Sequence, residues 1–91
     1  MSSRRTKMDI INDMLNSIQQ KGGRIKPTHL MYKANLSHKL LNSYLEELIT
    51  KEMISKVDGK TGNHYIIIKD KGIDFLNHFR KMREFQDTFG L

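Results

Sequence analysis

Four neighbouring residues in the middle of the chain carry polar side chains suited to directional hydrogen bonding: His38, Lys39, Asn42 and Ser43. If the segment is helical, their spacing places them together on its first two turns. A lysine can donate to the N7 and O6 acceptors of guanine, and an asparagine amide can pair with the edge of adenine through two hydrogen bonds. These residues are therefore candidates for reading nucleic-acid bases. Polar faces that contact only water are also common, and residue types alone do not separate the two interpretations.

Residues nearby suit contacts with phosphate groups. Lys26 lies at the start of a predicted short helix and Lys33 in the turn that follows, while Ser37 is a good N-cap for the next helix and leaves its first N–H groups exposed. Lys60 falls in a later polar turn. Such contacts anchor a protein on a nucleic acid without reading its sequence. The alternative for the turn at Lys60 is an ordinary hairpin, whose residues serve backbone geometry alone.

The N-terminus adds further basic residues. Arg4 and Arg5, together with Lys7, could form a flexible basic arm that follows a phosphate backbone. A solvated terminus without a partner has the same composition. The sequence leaves both interpretations open.

The charge distribution favours a polyanionic partner. The 91 residues carry a net charge of +6, and no acidic residue occurs between Asp13 and Glu46. Positive proteins of this size often bind polyanions. The acid-free stretch contains the candidate base-reading residues, although a mixed surface with a chance gap in its acids remains the alternative.

Several kinds of chemistry are excluded or disfavoured. The chain has no cysteine, so disulfides and cysteine-ligated zinc are impossible. Gly59 to Thr61 superficially resembles a phosphate-binding loop, but Ile54 stands where that loop needs a further glycine. No pair of histidines has metal-site spacing, and no catalytic triad order is visible. We therefore expect no enzymatic activity, no cofactor, no metal and no small-molecule ligand.

Hydrophobic spacing predicts the elements that would position these residues. The predicted elements are a helix from Thr6 to Gln20, a short helix from Pro27 to Lys33, a helix from His38 to Thr50, strands from Met53 to Val57 and from His64 to Ile68, and a helix from Lys71 towards Phe89. Two helices joined by a short turn match helix-turn-helix geometry, and a hairpin directly after them is typical of the winged variant. We predict a mainly α chain with a small β-hairpin wing (α+β).

The last predicted helix carries more apolar side chains than so small a domain can cover. They are Phe75, Phe79, Met82, Phe85 and Phe89. An exposed aromatic stripe usually marks an interface, and an antiparallel coiled coil with a second copy is the simplest partner. We therefore predict that residues 1–70 form a winged helix-turn-helix domain, including its basic N-terminal arm. Residues 71–91 are predicted to form a C-terminal dimerisation helix that packs on the same domain. Packing of the whole stripe on its own domain is the alternative.

The segment from Thr28 to Ser37 looks like the core motif of a family of small archaeal winged-helix DNA-binding proteins. Tyr65 to Gly72 resembles the second wing strand of that family and the entry to its last helix. Some members resemble chromatin-associated proteins with a C-terminal antiparallel coiled coil. The resemblance covers about residues 6 to 85 and implies a winged-helix fold, homodimerisation and binding of double-stranded DNA.

These observations predict a dimeric transcriptional regulator with the helix at residues 38–50 in the major groove. Two alternatives stay open, namely a sequence-tolerant architectural (chromatin-like) DNA-binding protein and a winged-helix module that binds another protein. Because no apolar run approaches the roughly 20 residues that span a bilayer, we expect a cytoplasmic, nucleoid-associated protein without a membrane partner.

Overall fold

The computed structural model describes residues 5–91 of the chain. Within them lie four α-helices and three β-strands, in the order α1 (Lys7–Gln20), β1 (Arg24–Ile25), α2 (Pro27–Lys33), α3 (His38–Thr50), β2 (Ile54–Asp58), β3 (His64–Ile68) and α4 (Asp70–Thr88). The predicted helices, the predicted hairpin and the α+β winged-helix class are confirmed.

Local sequence signals begin and end α1. The Thr6 hydroxyl accepts a hydrogen bond from the Asp9 backbone N–H at 3.1 Å, and the Asp9 carboxylate accepts one from the Thr6 N–H at 3.0 Å. This reciprocal capping box satisfies two N–H groups that the start of a helix leaves unpaired. The helix ends before Gly22 and Gly23, which have φ angles of 78° and 90°. Glycine adopts this left-handed region without steric cost.

The capping carboxylate also joins α1 to α4. Arg83 Nη2 donates to Asp9 Oδ1 at 2.6 Å. The pKa of Asp9 lies below its ordinary value. The largest cause is the hydrogen bond that the Thr6 backbone N–H donates to the carboxylate, and hydrogen bonds from the Thr6 hydroxyl and from Arg83 lower the pKa further. The ionised form of Asp9 is therefore favoured by folding, and the free energy of unfolding depends on pH.

Asp9→Asn is expected to lower the midpoint of thermal unfolding at neutral pH. A depressed pKa contributes stability above the ordinary aspartate pKa of about 4 and loses it as the pH falls through the lower value of the folded state. The difference between wild type and variant should therefore shrink on acidification below about pH 4. Thermal melts followed by circular dichroism between neutral and acidic pH measure it, with Glu84→Gln on the exposed surface of α4 as the control. If the difference in unfolding midpoint between wild type and Asp9→Asn stays the same across that pH range, the lowered pKa of Asp9 is contradicted.

The turn between α2 and α3 follows the predicted chemistry. Pro27 is the first residue of α2, where its missing N–H costs nothing. Asn35 has a φ of 54°, a backbone conformation that asparagine tolerates better than most residues. Ser37 caps α3, because its Oγ accepts a hydrogen bond from the Leu40 N–H at 3.2 Å. These positions fix where α3 begins.

The sheet contains a strand that the sequence analysis missed. The strand order is β1-β3-β2, and both pairings are antiparallel. In the missed strand, β1, Ile25 pairs with Ile66 and Arg24 pairs with Ile67. A strand of two residues has no period to detect, and its partner lies about 40 residues away along the chain. The wing is thus anchored by a third strand.

The core lies where the helices pack on the inner face of the sheet. Its fully buried side chains are Met14, Leu15, Ile18, Leu30, Leu48, Ile54 and Ile66. α4 lies along α1, and Phe79 is 8% exposed there. Within residues 5–91, no helix combines the length and the apolar character needed to cross a membrane.

Candidate nucleic-acid interface

The exposed side of α3 brings the four predicted base-reading residues together. Leu41, Leu45 and Leu48 are buried, so the helix turns its other side outward. His38, Lys39, Asn42 and Ser43 are all exposed on its first two turns. Asn42 Nδ2 lies 3.2 Å from His38 Nδ1, a contact that orients the amide when that ring nitrogen is unprotonated. The arrangement presents donors and acceptors at the beginning of the helix.

The electrostatics of α3 differ between its two ends. The first turn contains no acidic residue. Further along, Glu46 is exposed, whereas Glu47 is half-buried and its Oε2 lies 2.6 Å from Lys7 Nζ on α1. The hydrogen bond from Lys7 to Glu47 raises the pKa of the lysine, which favours its charged form. The α1 lysine thus balances one of the two carboxylates at the later turns of α3.

The predicted phosphate-binding residues lie on α2 and the wing. Lys26 is the N-cap residue of α2 and is exposed. It borders a cleft of about 310 Å³ that Asn63 and His64 of the wing also line, so the beginning of α2 and the wing are neighbours. Lys33 is exposed as the last residue of α2, directly before the turn to α3. Lys60 is exposed in the turn between β2 and β3.

The N-terminal arm differs from the prediction. Arg4 lies outside the described residues. Arg5 is not a free arm, because its guanidinium donates to the carbonyl oxygens of Ala34 at 2.6 Å and Asn35 at 2.8 Å and to Asp13 Oδ2 at 3.0 Å. Carbonyl groups at a helix end lack partners and attract cations, which explains the attachment to the end of α2. Lys7 is likewise part of α1.

Two exposed apolar residues on the helix-turn-helix were absent from the predicted site. Leu40 is exposed on the first turn of α3, and Tyr32 is exposed near the end of α2. Leu40 falls outside the apolar stripe at Leu41, Tyr44 and Leu45, and that position was the available sequence signal. Apolar side chains on a groove-facing helix can pack against thymine methyl groups.

An apolar surface also remains on α4. Met82, Phe85 and Phe89 are 42%, 59% and 64% exposed, and the exposed Met8 of α1 lines a small pocket together with Met82. We call these four residues the α4 apolar surface. The other two predicted interface residues differ, since Phe79 is 8% exposed and stacks on the half-buried Phe75 with ring centroids 5.9 Å apart. The domain itself therefore covers part of the stripe.

No cluster of three metal-ligating side chains occurs in the part of the chain that the structure describes. The chemistry available at α3 is instead hydrogen bonding from exposed polar groups, with cations around them.

Comparison with known proteins identifies the fold family. The winged helix-turn-helix family model matches residues 4–87. The chain belongs to the winged helix-turn-helix family. The resemblance inferred from Thr28 to Ser37 is thereby confirmed at the level of the family. A search of curated proteins returned no match.

Solved structures resemble this winged-helix protein over most of its length. Sso10a-2, a DNA-binding protein from Sulfolobus solfataricus, superposes with a TM-score of 0.80 at 18% identity over 93% of this chain and 85% of its own. F93 from STIV, a winged-helix DNA-binding protein, superposes with a TM-score of 0.74 at 13% identity over 89% of this chain and 92% of its own. MepR, a transcription regulator of the Staphylococcus aureus multidrug efflux pump MepA, superposes with a TM-score of 0.77 at 13% identity over 89% of this chain and 62% of its own. At these identities the likeness is one of fold.

Proposed function

We propose that the protein binds double-stranded DNA as a dimeric winged-helix transcriptional regulator, with α3 in the major groove. The observation that carries the proposal is the exposed polar surface on the first two turns of α3, formed by His38, Lys39, Asn42 and Ser43. The recognition helix of a helix-turn-helix contacts base edges through its N-terminal residues. Lys39 and Asn42 match the side chains that pair with guanine and adenine.

Exposed cations on α2 and the wing support the same orientation. Lys33 lies at the end of α2, and Lys26 and Lys60 lie at the beginning of α2 and in the wing. In this arrangement the wing and the beginning of α2 contact phosphates on either side of the groove that α3 enters. The names of Sso10a-2 and F93 as DNA-binding proteins, and of MepR as a transcription regulator, agree with this assignment.

The test is selection of bound sequences from a pool of random duplex DNA at two salt concentrations. A regulator that reads bases should enrich a short motif with two-fold symmetry. Strong, salt-sensitive binding without enrichment would instead support an architectural protein that contacts only the backbone. Absence of binding at low salt would overturn DNA binding and favour a protein partner.

Dimerisation is proposed to use residues 71–91, packed on the domain formed by residues 1–70. The α4 apolar surface (Met8, Met82, Phe85 and Phe89) supports it, because large apolar side chains left exposed in one copy can be covered in another. Phe85 and Phe89 already contact each other, with ring centroids 4.9 Å apart. Two-fold pairing through this surface would place two copies of α3 on successive half-sites.

Phe85→Glu is expected to weaken self-association at least about 30-fold, because buried aromatic side chains dominate interface energies and a glutamate there would be desolvated. Sedimentation equilibrium over a concentration series measures the dissociation constant. Since Phe85 is 59% exposed in the single copy, the fold of the variant should be retained. Lys81→Glu, on the same helix outside the α4 apolar surface, is the matched control. Equal dissociation constants for both variants would contradict this interface.

A further inference from the structure

A cleft at the base of the wing contains one residue of the interface described above, Lys60, and extends beyond it to β1. It has a volume of about 440 Å³ and is lined by Arg24 of β1, Tyr65 of β3, and residues 57–61 and 63 of β2 and the wing turn. We call it the wing-base cleft. It lies on the outer face of the sheet, because the alternate residues Ile66 and Ile68 point into the core.

Arg24 is positioned in this cleft by an aromatic ring. Its guanidinium carbon lies 3.9 Å from the centroid of Tyr65. The register explains the contact, since Arg24 pairs with Ile67 and Tyr65 lies two residues along the same face of β3. A guanidinium stacked on a ring keeps the N–H groups at its edge available for a second partner.

No partner of opposite charge occupies those N–H groups in the described chain. Among residues 5–91, the ion pairs do not include Arg24, which is exposed. Every other arginine with a described structure except Arg80 pairs with a carboxylate. Arg24 therefore stacks on Tyr65 without an ion pair to any carboxylate within residues 5–91.

Three of the four other polar side chains of the wing-base cleft beside Arg24 and Tyr65 can donate hydrogen bonds. Lys60 supplies a second cation, and the Asn63 amide donates to the Thr61 hydroxyl at 3.0 Å, which orients both. Asp58 is a carboxylate in the lining, and its Oδ1 lies 2.6 Å from His64 Nδ1. The lining thus carries two cations against one carboxylate, and this excess of positive charge, together with the Thr61 hydroxyl, favours a small anionic group.

We propose that the wing-base cleft binds a phosphodiester group of the DNA backbone, with Arg24 as the principal ligand, Lys60 as the second cation and Tyr65 as the positioning residue for Arg24. The proposal rests on the proposed function. β1 leads directly into Lys26 at the beginning of α2, and Lys26 itself borders the wing. The contact thus extends the phosphate-binding surface from α2 across the base of the wing.

The test measures binding of a random-sequence duplex to the full chain at several salt concentrations between about 50 and 200 mM. Arg24→Gln is expected to weaken binding to every duplex alike and to reduce the slope of log affinity against log salt by about one for each protomer. Across that salt range, a change of one in slope corresponds to about a fourfold change in affinity. Arg80→Gln, an exposed arginine on α4, is the matched control and should keep the wild-type slope.

Two variants of Tyr65 separate positioning from charge. Tyr65→Phe retains the ring and should bind as the wild type does. Tyr65→Leu removes the ring but leaves the charge of Arg24. Its affinity for the duplex should fall severalfold, but by less than the affinity of Arg24→Gln falls. Melting curves of all variants verify that each is folded.

The outcomes are distinct. If the wild type binds duplex DNA and Arg24→Gln keeps its slope, the phosphate site is overturned while the proposed function stands. If the two Tyr65 variants bind equally well, the positioning role is overturned. If the wild type binds no duplex at low salt, both the site and the proposed function are overturned.

Discussion

Replacing Lys39 and Asn42 together with alanine is expected to abolish most of the preference of the protein for a selected duplex over random DNA. A good bidentate contact between a side chain and a base contributes about 1–3 kcal/mol of discrimination. The double variant should therefore lose at least about tenfold in specificity, and more if both contacts are bidentate. Binding of selected and random duplexes at one salt concentration, followed by fluorescence anisotropy, gives the ratio of the two affinities.

The control for this pair removes the same residue types elsewhere. Asn16 lies on the exposed side of α1 and Lys51 follows the end of α3, so Asn16→Ala with Lys51→Ala changes one amide and one ammonium away from the first turns of α3. That variant should retain the wild-type ratio. Equal losses of affinity by the Lys39/Asn42 variant on selected and random DNA would argue against base reading and for backbone binding alone.

Gly72→Ala is expected to destabilise the fold by about 1–3 kcal/mol, the usual cost of overpacking. A Cβ at position 72 would lie 2.5 Å from the Met53 carbonyl oxygen and 2.9 Å from Ile68 Cγ1. The carbonyl cannot move away freely, because it accepts a hydrogen bond from the Lys69 N–H at 2.9 Å. Alanine favours a helix over glycine by about 1 kcal/mol, and we expect the clash with fixed backbone to outweigh that gain.

Urea unfolding of the Gly72 variant measures this effect, with Lys71→Ala as the neighbouring exposed control. The control should lie within about 0.5 kcal/mol of the wild type. A Gly72 variant more stable than the wild type would mean that α4 moves away from the beginning of β2 without cost. The same close approach sets where α4 leaves the sheet, so the variant also tests how firmly the proposed dimerisation helix is held.

The contacts of Arg5 give the helix-turn-helix a further support. This residue links the segment before α1 to the carbonyl groups of Ala34 and Asn35, which lead into α3. A cation first considered as an arm for DNA thus has a structural role in the described chain. Basic composition alone does not separate the two roles, because the sequence does not show which cations find partners within the domain.

Elements that depend on neighbours along the chain could be predicted from the sequence. The capping box at Thr6 and Asp9, the glycines after α1, the left-handed Asn35 and the Ser37 cap each act within a few residues. Such signals are legible because hydrogen bonds and steric limits at a helix end involve residues close in sequence. They located α3 and its exposed polar surface correctly.

Contacts between segments that are distant along the chain are visible only in the tertiary structure. Strand β1 exists because Ile25 meets Ile66, Phe79 is covered by the domain, and Arg24 lies on Tyr65. Periodicity averages over a window of a dozen or so residues and carries no information about which surfaces later meet. For that reason the sequence predicted the recognition helix and the wing, whereas the extent of the exposed α4 surface and the cleft beside Arg24 became visible only in the folded chain.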